Sequence, residues 1–99
     1  TVVVGSGGIM SEIYNDAAVR LAPVTKKTAL EMLHEVKGLA PVRGYRGLPR
    51  GDLQAVATII HKLSQLAFLV DEITDAEINP VIIKKRGAVA VDGLIIKTN

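Results

Sequence analysis

Apolar and polar residues alternate in short runs at both ends of the chain and recur at helical spacing in its middle. Short alternating or β-branched runs are typical of strands, whereas apolar residues three and four positions apart are typical of amphipathic helices. Five extended segments are predicted, at residues 2–4, 9–14, 17–22, 73–83 and 88–96. Two helices lie between the third and the fourth, so the order is β-β-β-α-α-β-β. This order predicts an α+β fold with both helices on one face of a mainly antiparallel sheet.

The two predicted helices cover residues 25–37 and 52–71. Thr25 and Asp52 are residue types that cap helix N-termini well. Gly38 is the expected C-terminal stop of the first helix. The stretch that joins the helices is rich in Gly, Pro and Arg and has no apolar period, which predicts a long loop. Loops of about a dozen residues in a compact domain are usually functional.

Composition limits the class of protein. A chain of 99 residues is enough for one domain, and an apolar content of 48% excludes intrinsic disorder. The absence of cysteine excludes a disulfide scaffold, and a net charge of +2 is too balanced to indicate nucleic acid or membrane. We see no signal peptide or transmembrane run and expect a cytoplasmic protein. Thr1 opens directly into a strand, so we expect residues 1–99 to be a single domain from a longer chain.

The last predicted hairpin carries the most informative polar residues. Side chains on a strand alternate between faces, so Asp75, Glu77 and Asn79 share one face. If the loop of the hairpin has an even number of residues, Asp92 of the partner strand lies on that same face. A four-residue loop places Asp92 directly opposite Asn79, and a two-residue loop places it diagonally. Carboxylate and amide oxygens are the ligands that Mg²⁺ takes, with phosphates and water completing the octahedron. The alternative is that these residues are ordinary solvated side chains.

Three short segments of the C-terminal hairpin follow one another in a specific order. They are E-I-N-P-V at 77–81, K-K-R-G at 84–87 and V-D-G at 91–93. Together they resemble the end of the ATP-grasp domain of acyl-CoA synthetases. Three upstream segments resemble the ADP-forming acetyl-CoA synthetase (acetate–CoA ligase) branch of that family in the same order. They are G-S-G-G-I at 5–9 with Glu12, D-A-A-V-R-L-A-P at 16–23, and G-Y-R-G-L-P-R-G-D at 44–52. Arg50 and Gly51 depart from the family pattern in the last of these segments.

The resemblance implies an enzyme that interconverts acyl-CoA, ADP and phosphate with a carboxylic acid, CoA and ATP through a phosphohistidine. Its cofactors would be ATP or ADP and Mg²⁺, held between two subdomains. Asn79 and Asp92 match the metal-binding positions of the related succinyl-CoA synthetase β-subunits. Glu77 matches a neighbouring carboxylate implicated in metal binding or in handling the phosphohistidine, and we assign it a catalytic role.

The upstream motifs imply further site residues. Gly7 and Gly8 would approach the nucleotide, although a tight turn between strands explains them equally well. Glu12 either points into the nucleotide site or is a solvated strand residue. Arg46 would lie near the active-site cleft as a second catalytic residue, and its alternative is a solvated loop position.

The resemblance also implies what the 99 residues do not contain. The family's phosphate-binding lysine, its adenine-binding linker, its acyl-CoA site and its phosphorylated histidine have no counterpart in the chain. We therefore expect the C-terminal half of an ATP-grasp domain, inactive alone. Its partners would be the nucleotide and a CoA-binding, phosphohistidine-bearing domain or subunit of the same enzyme. We expect an oligomer in the full-length enzyme, and neither nucleic acid nor membrane as a partner.

Two alternatives remain open at this point. The same resemblance includes a regulatory, ligase-like region of protein-lysine acetyltransferases. In a different class, a nucleic-acid-binding module could use Arg43, Arg46 and Arg50 for phosphates and Tyr45 for base stacking. His34 and His61 both fall inside predicted helices, and we interpret them as structural.

Overall fold

The computed structural model describes residues 1–7, 16–44, 50–69 and 73–97. The elements in these ranges follow the predicted order of strands and helices. They are β1 (Val2–Gly5), β2 (Ala17–Arg20), α1 (Lys26–Glu35), a 3₁₀ helix (Lys37–Arg43), α2 (Leu53–Leu69), β3 (Ile73–Ile78), β4 (Val81–Ile83), β5 (Ala88–Ala90) and β6 (Gly93–Lys97). The extended segment predicted at residues 9–14 lies outside the described residues. The α+β class is confirmed.

All the strand pairing among the described residues is antiparallel. It is divided among three two-stranded sheets, β1 with β2, β3 with β6, and β4 with β5. The first sheet is a hairpin in which Val3 pairs with Val19. The other two sheets follow one another along the predicted C-terminal hairpin, which is divided at the position of Pro80. Proline has no N–H to donate to a ladder, which accounts for the division at this position.

The core lies between the two helices and the inner face of β2. Helix α1 packs against α2 and β2, and α2 in turn contacts β3 and β4. The buried apolar side chains are Ala18, Val24, Ala29, Met32, Leu33, Val36, Leu53, Val56 and Ala57. Six of them lie on α1 and α2 at the three- and four-residue spacing predicted for the two helices, whereas Leu30 and Ile60 are only half-buried. No helix in the described ranges combines the length and apolarity needed to cross a membrane.

The end of α1 differs from the prediction. The helix stops at Glu35, and Gly38 lies inside the 3₁₀ helix that follows instead of terminating α1. Two N–H groups at the start of the 3₁₀ helix, those of Lys37 and Gly38, donate to the carboxylate of Asp16 at 2.9 and 2.7 Å. The first part of the predicted inter-helix loop is thus a 3₁₀ helix whose start is held by the carboxylate that directly precedes β2.

Both predicted N-caps are confirmed. The hydroxyl of Thr25 accepts from the N–H of Thr28 at 3.0 Å, and one carboxylate oxygen of Asp52 accepts from the N–H of Ala55 at 3.0 Å. The second oxygen of Asp52 accepts from the N–H of Gly87, in the tip of the C-terminal hairpin, at 2.7 Å. Asp52 therefore joins the start of α2 to a turn 35 residues later in the chain.

These hydrogen bonds lower the pKa of Asp52, with the Gly87 N–H the largest cause and the Ala55 N–H the second. Both N–H groups favour the charged carboxylate, because only the ionised form accepts at both oxygens.

Replacing Met32 tests the core. Met32 has no exposed surface, whereas the side chain of Leu21 is 83% exposed. We expect Met32→Ala to lower the free energy of unfolding by about 2–5 kcal/mol because it leaves a cavity. Leu21→Ala removes a comparable apolar side chain at the surface and should cost less than about 0.5 kcal/mol. Urea unfolding measures both, and equal losses would contradict the placement of the core.

The pH dependence of stability tests the contacts of Asp52. Because its pKa is lower in the folded chain, the unfolded chain takes up a proton first as the pH falls. Asp52 therefore stabilises the fold above the ordinary aspartate pKa of about 3.9 and loses this contribution as the pH falls below that value. The free energy of unfolding, measured in urea at a series of pH values, should therefore fall less steeply with acid in Asp52→Asn than in the wild type.

Thr25→Ala is the control for this experiment. It removes a helix N-cap that carries no titrating group, so its loss of stability should be the same at every pH. If the free energy of unfolding of Asp52→Asn fell as steeply with acid as that of the wild type, the Asp52 carboxylate would not be held as described.

Candidate functional site

The C-terminal hairpin brings the predicted metal ligands together. Ile83 pairs with Ala88, so the connection comprises the four residues 84–87, and Ile78 pairs with Gly93 nearer the base. Between these two ladders the N–H of Asn79 donates to the carbonyl of Asp92 at 3.1 Å. Asn79 and Asp92 are therefore opposite each other, as the four-residue loop predicts.

Glu77 lies on the same face of the hairpin. It pairs with Leu94, which is two residues beyond Asp92, and side chains two residues apart on a strand share a face. Opposite residues of an antiparallel pair also project to the same side, so Glu77, Asn79 and Asp92 form one cluster of oxygen-bearing side chains. We name these three residues the hairpin oxygen cluster. All three are exposed to solvent.

The oxygen atoms of this cluster are largely free of protein partners. One carboxylate oxygen of Asp92 accepts from the N–H of Gly93 at 2.8 Å, which fixes the side chain against its own backbone. Within the described ranges, neither the carboxylate of Glu77 nor the side-chain amide of Asn79 has a hydrogen bond or ion pair. The cluster thus presents unpaired acceptors to solvent on one face of the hairpin.

This donor set suits a hard cation that binds mainly through other ligands. Among the described residues, no group of three or more His, Cys, Asp or Glu side chains is arranged to hold a metal ion. The cluster offers two carboxylates and one amide oxygen. Mg²⁺ usually takes one or two carboxylates and completes its octahedron with water and substrate phosphates. The chemistry of the three side chains therefore fits Mg²⁺ held jointly with a phosphate-bearing ligand.

The remaining predicted site residues are not brought to this cluster by the described structure. Gly8, Glu12 and Arg46 lie outside the described residues. Gly7 lies two residues beyond the end of β1, is exposed and has φ of +81°, a left-handed conformation that glycine adopts without strain. Its proposed approach to a nucleotide stays a prediction.

Arg43, in the described part of the basic segment between the helices, stabilises the fold. The guanidinium of Arg43 donates to the carbonyls of Leu33 and Val36, at 3.0 and 2.6 Å, and so satisfies the C-terminal end of α1. This contact occupies one of the arginines that a nucleic-acid-binding module would need. Arg50 is exposed, whereas Tyr45 lies outside the described residues.

Both histidines make backbone contacts of a structural kind. A ring nitrogen of His34 lies 2.8 Å from the carbonyl of Leu30 in its own helix. That of His61 lies 2.7 Å from the carbonyl of Val24, which joins α2 to the segment before α1. These contacts agree with their interpretation as structural residues. Arg20, whose partner could not be identified from sequence, forms an ion pair with Glu35 that raises the pKa of the guanidinium.

Comparison with known proteins decides the family. The family model of the ATP-grasp domain matches residues 1–96. The chain belongs to the ATP-grasp family. The motifs' resemblance to ADP-forming acetyl-CoA synthetases is confirmed, because relatives of the chain are named as ADP-forming acetate–CoA ligases.

One such ATP-grasp relative is the β-subunit of ADP-forming acetate–CoA ligase I from Pyrococcus furiosus. It is 41% identical over 95 residues, which make up 96% of this chain and 41% of the relative. Another is the ADP-forming 4-hydroxybutyrate–CoA ligase of Nitrosopumilus maritimus, 35% identical over 86 residues, or 87% of this chain and 12% of that protein. The chain therefore spans well under half the length of these relatives.

A solved ATP-grasp structure agrees with the fold throughout the chain. It is the dinucleotide-forming acetyl-coenzyme A synthetase 1 of Ca. Korarchaeum cryptofilum, in complex with coenzyme A and Mg-AMPPCP, with its phosphohistidine segment pointing towards the nucleotide binding site. The TM-score is 0.87 at 30% identity, covering 97% of this chain and 45% of that one. The matches give no support to the regulatory acetyltransferase region or to the nucleic-acid-binding module considered above.

Proposed function

We propose that this chain supplies the metal side of the nucleotide site in an ADP-forming acyl-CoA synthetase. The reaction would interconvert acyl-CoA, ADP and phosphate with a carboxylic acid, CoA and ATP, passing through a phosphohistidine. Residues 1–99 would act as one domain, the C-terminal half of an ATP-grasp domain, and would need further domains for turnover. The expected location of the enzyme is the cytoplasm.

The observation that carries this proposal is the pairing of Asn79 with Asp92. Their backbone hydrogen bond of 3.1 Å and the exposure of both residues support an arrangement in which the amide and the carboxylate project from the same face. Glu77 adds a second carboxylate to that face without a protein partner among the described residues. An exposed group of acceptors that has no ion pair within the described ranges is suited to a metal ion that arrives with a nucleotide.

Asn79 and Asp92 would hold Mg²⁺ in this site. When bound, the ion supplies positive charge to the phosphate oxygens, whose neutralisation is most of what phosphoryl transfer requires. Glu77 would either join the metal ligands or accept a hydrogen bond from the phosphorylated histidine. The hairpin backbone would keep these side chains fixed before the substrate binds, so that no reorganisation is needed during the reaction.

Partners of the complete enzyme follow from the same proposal. The histidine, the acyl-CoA site and the phosphate-binding lysine would come from other domains or subunits. The nucleotide would lie between those parts and the hairpin oxygen cluster. Gly7, Gly8 and Glu12 would contribute to nucleotide binding, and Arg46 would lie at the cleft. An oligomeric full-length enzyme is expected.

Substitution of the two metal ligands tests the proposal in the complete protein that carries this chain. Asn79→Ala and Asp92→Ala should each lower the ADP- and phosphate-dependent release of CoA from acetyl-CoA by at least about tenfold in the presence of Mg²⁺. Both variants should also lose Mg²⁺-dependent binding of ADP in calorimetry, because each removes one oxygen ligand.

Asp75→Ala is the matched control. Asp75 is also an exposed carboxylate of β3, but it pairs with Ile96 and lies further from Asn79 along the strand. Its removal should leave CoA release within about twofold of the wild type. Full activity of both Asn79→Ala and Asp92→Ala would exclude these residues as metal ligands.

A further inference from the structure

The hairpin that carries the oxygen cluster is held to the rest of the domain at its tip by polar contacts. The carboxylate of Asp52 accepts from the N–H of Gly87 at 2.7 Å, and the N–H of Asp52 donates to the carbonyl of Lys84 at 2.7 Å. Lys84 and Gly87 are themselves joined, because the N–H of Lys84 donates to the carbonyl of Gly87 at 3.1 Å. One residue therefore contacts both ends of the turn. We name these two contacts the hairpin anchor.

A close apolar contact reinforces the anchor from the preceding residue. A Cβ added to Gly51 would lie 2.5 Å from a methyl carbon of Ile83, so the backbone of Gly51 packs directly against β4. The N–H of Gly51 donates to the carbonyl of Val42 at 2.7 Å. The start of α2, the end of the 3₁₀ helix and the hairpin tip thus meet at one place.

The two strands at the base of this hairpin differ in their contacts: β3 contacts α2 and has half-buried residues, whereas β6 lies on the outside. Every residue of β6 is exposed, and the members of the oxygen cluster are exposed as well. The anchor lies five residue pairs from Asn79 and Asp92 along the hairpin, roughly 17 Å at the rise of an antiparallel strand. A one-residue slip of the pairing would move every side chain of one strand to the opposite face. A fixed tip opposes such a slip.

We propose that Asp52 is a positioning residue for the metal site, because it holds the hairpin tip and thereby keeps Asn79 opposite Asp92. This role rests on the proposed function of the oxygen cluster. It differs from the helix-capping role of Asp52, since the cap uses one carboxylate oxygen on Ala55 and the anchor uses the other on Gly87. Asp52 touches no member of the cluster and acts on them only through the hairpin backbone.

The two roles of Asp52 are separated by Asp52→Ser. Serine is a good N-cap and keeps one acceptor for the start of α2, but it has no second oxygen to reach Gly87. Asp52→Ala removes both side-chain contacts, that with Ala55 and that with Gly87, while the backbone contact with Lys84 remains in both variants. Thr25→Ala is the matched control, because it removes the N-cap of α1, whose contact with Thr28 does not involve the hairpin.

Amide hydrogen exchange in the complete protein measures how well the backbone pairing of the hairpin is held within the 99-residue region. The N–H of Asn79 reports its bond to Asp92, and the N–H of Val91 reports its bond to Pro80 at 3.0 Å. Asp52→Ser should speed exchange at both amides, and Asp52→Ala should do the same. Thr25→Ala should leave both at the wild-type rate relative to the core amides. Unchanged exchange at Asn79 and Val91 in Asp52→Ser would overturn the proposal.

The Mg²⁺ dependence of activity provides the second measurement. Asp52→Ser should raise the Mg²⁺ concentration for half-maximal CoA release by about three- to tenfold, with a smaller change in the rate at saturating Mg²⁺. A lower saturated rate with an unchanged Mg²⁺ midpoint would contradict a positioning role. If Asn79→Ala and Asp92→Ala were fully active, the proposed metal site would fail, whereas the exchange rates would still decide whether Asp52 positions the hairpin.

Discussion

The register of the C-terminal hairpin is the constraint on which the candidate site depends. The pairing of Ile78 with Gly93 and that of Ile83 with Ala88 follow the same register, although Pro80 interrupts the ladder between them. The hydrogen bonds Asn79 to Asp92 and Val91 to Pro80 continue the pairing through the interruption. If the pairing of the two strands were shifted by one residue, or by any odd number of residues, Asp92 would lie on the face opposite Glu77 and Asn79. The metal chemistry proposed for this chain is therefore a consequence of backbone pairing.

Two aspartates connect distant parts of the chain at a helix N-terminus. Asp16, which directly precedes β2, accepts from the N–H groups of Lys37 and Gly38 at the start of the 3₁₀ helix. Asp52 directly precedes α2, accepts from an N–H group in the first turn of that helix and also accepts from Gly87 in the C-terminal hairpin. A helix N-terminus carries unsatisfied N–H groups and a partial positive charge, so a carboxylate is favoured there. Each aspartate thus satisfies a helix terminus and links it to a second element of the fold.

Local features of the sequence predicted the parts of the structure that local forces determine. The alternation in β3, the four-residue connection and the caps Thr25 and Asp52 all depend on neighbouring residues, and they were confirmed. The 3₁₀ helix was missed because it contains Pro41 and has no apolar period, and because its start is stabilised by Asp16, a residue 21 positions earlier. The contact between Asp52 and Gly87 joins residues 35 positions apart, so no periodicity or spacing rule indicates it. The juxtaposition of Asn79 and Asp92 was predictable, whereas the support of their hairpin was not.

The exposure of the oxygen cluster has a thermodynamic consequence for the proposed cofactor. Two carboxylates on one solvent-exposed face repel each other weakly, because water and salt screen their charges. The hairpin therefore needs no cation to relieve this repulsion, and two carboxylates and one amide would gain little from binding Mg²⁺ alone. Phosphate oxygens supply further ligands and most of the negative charge. Metal and nucleotide should therefore bind this face cooperatively, and by linkage each should strengthen the binding of the other to the same degree. An exposed cluster with few protein ligands favours a metal that enters and leaves with its nucleotide over one that is permanently held.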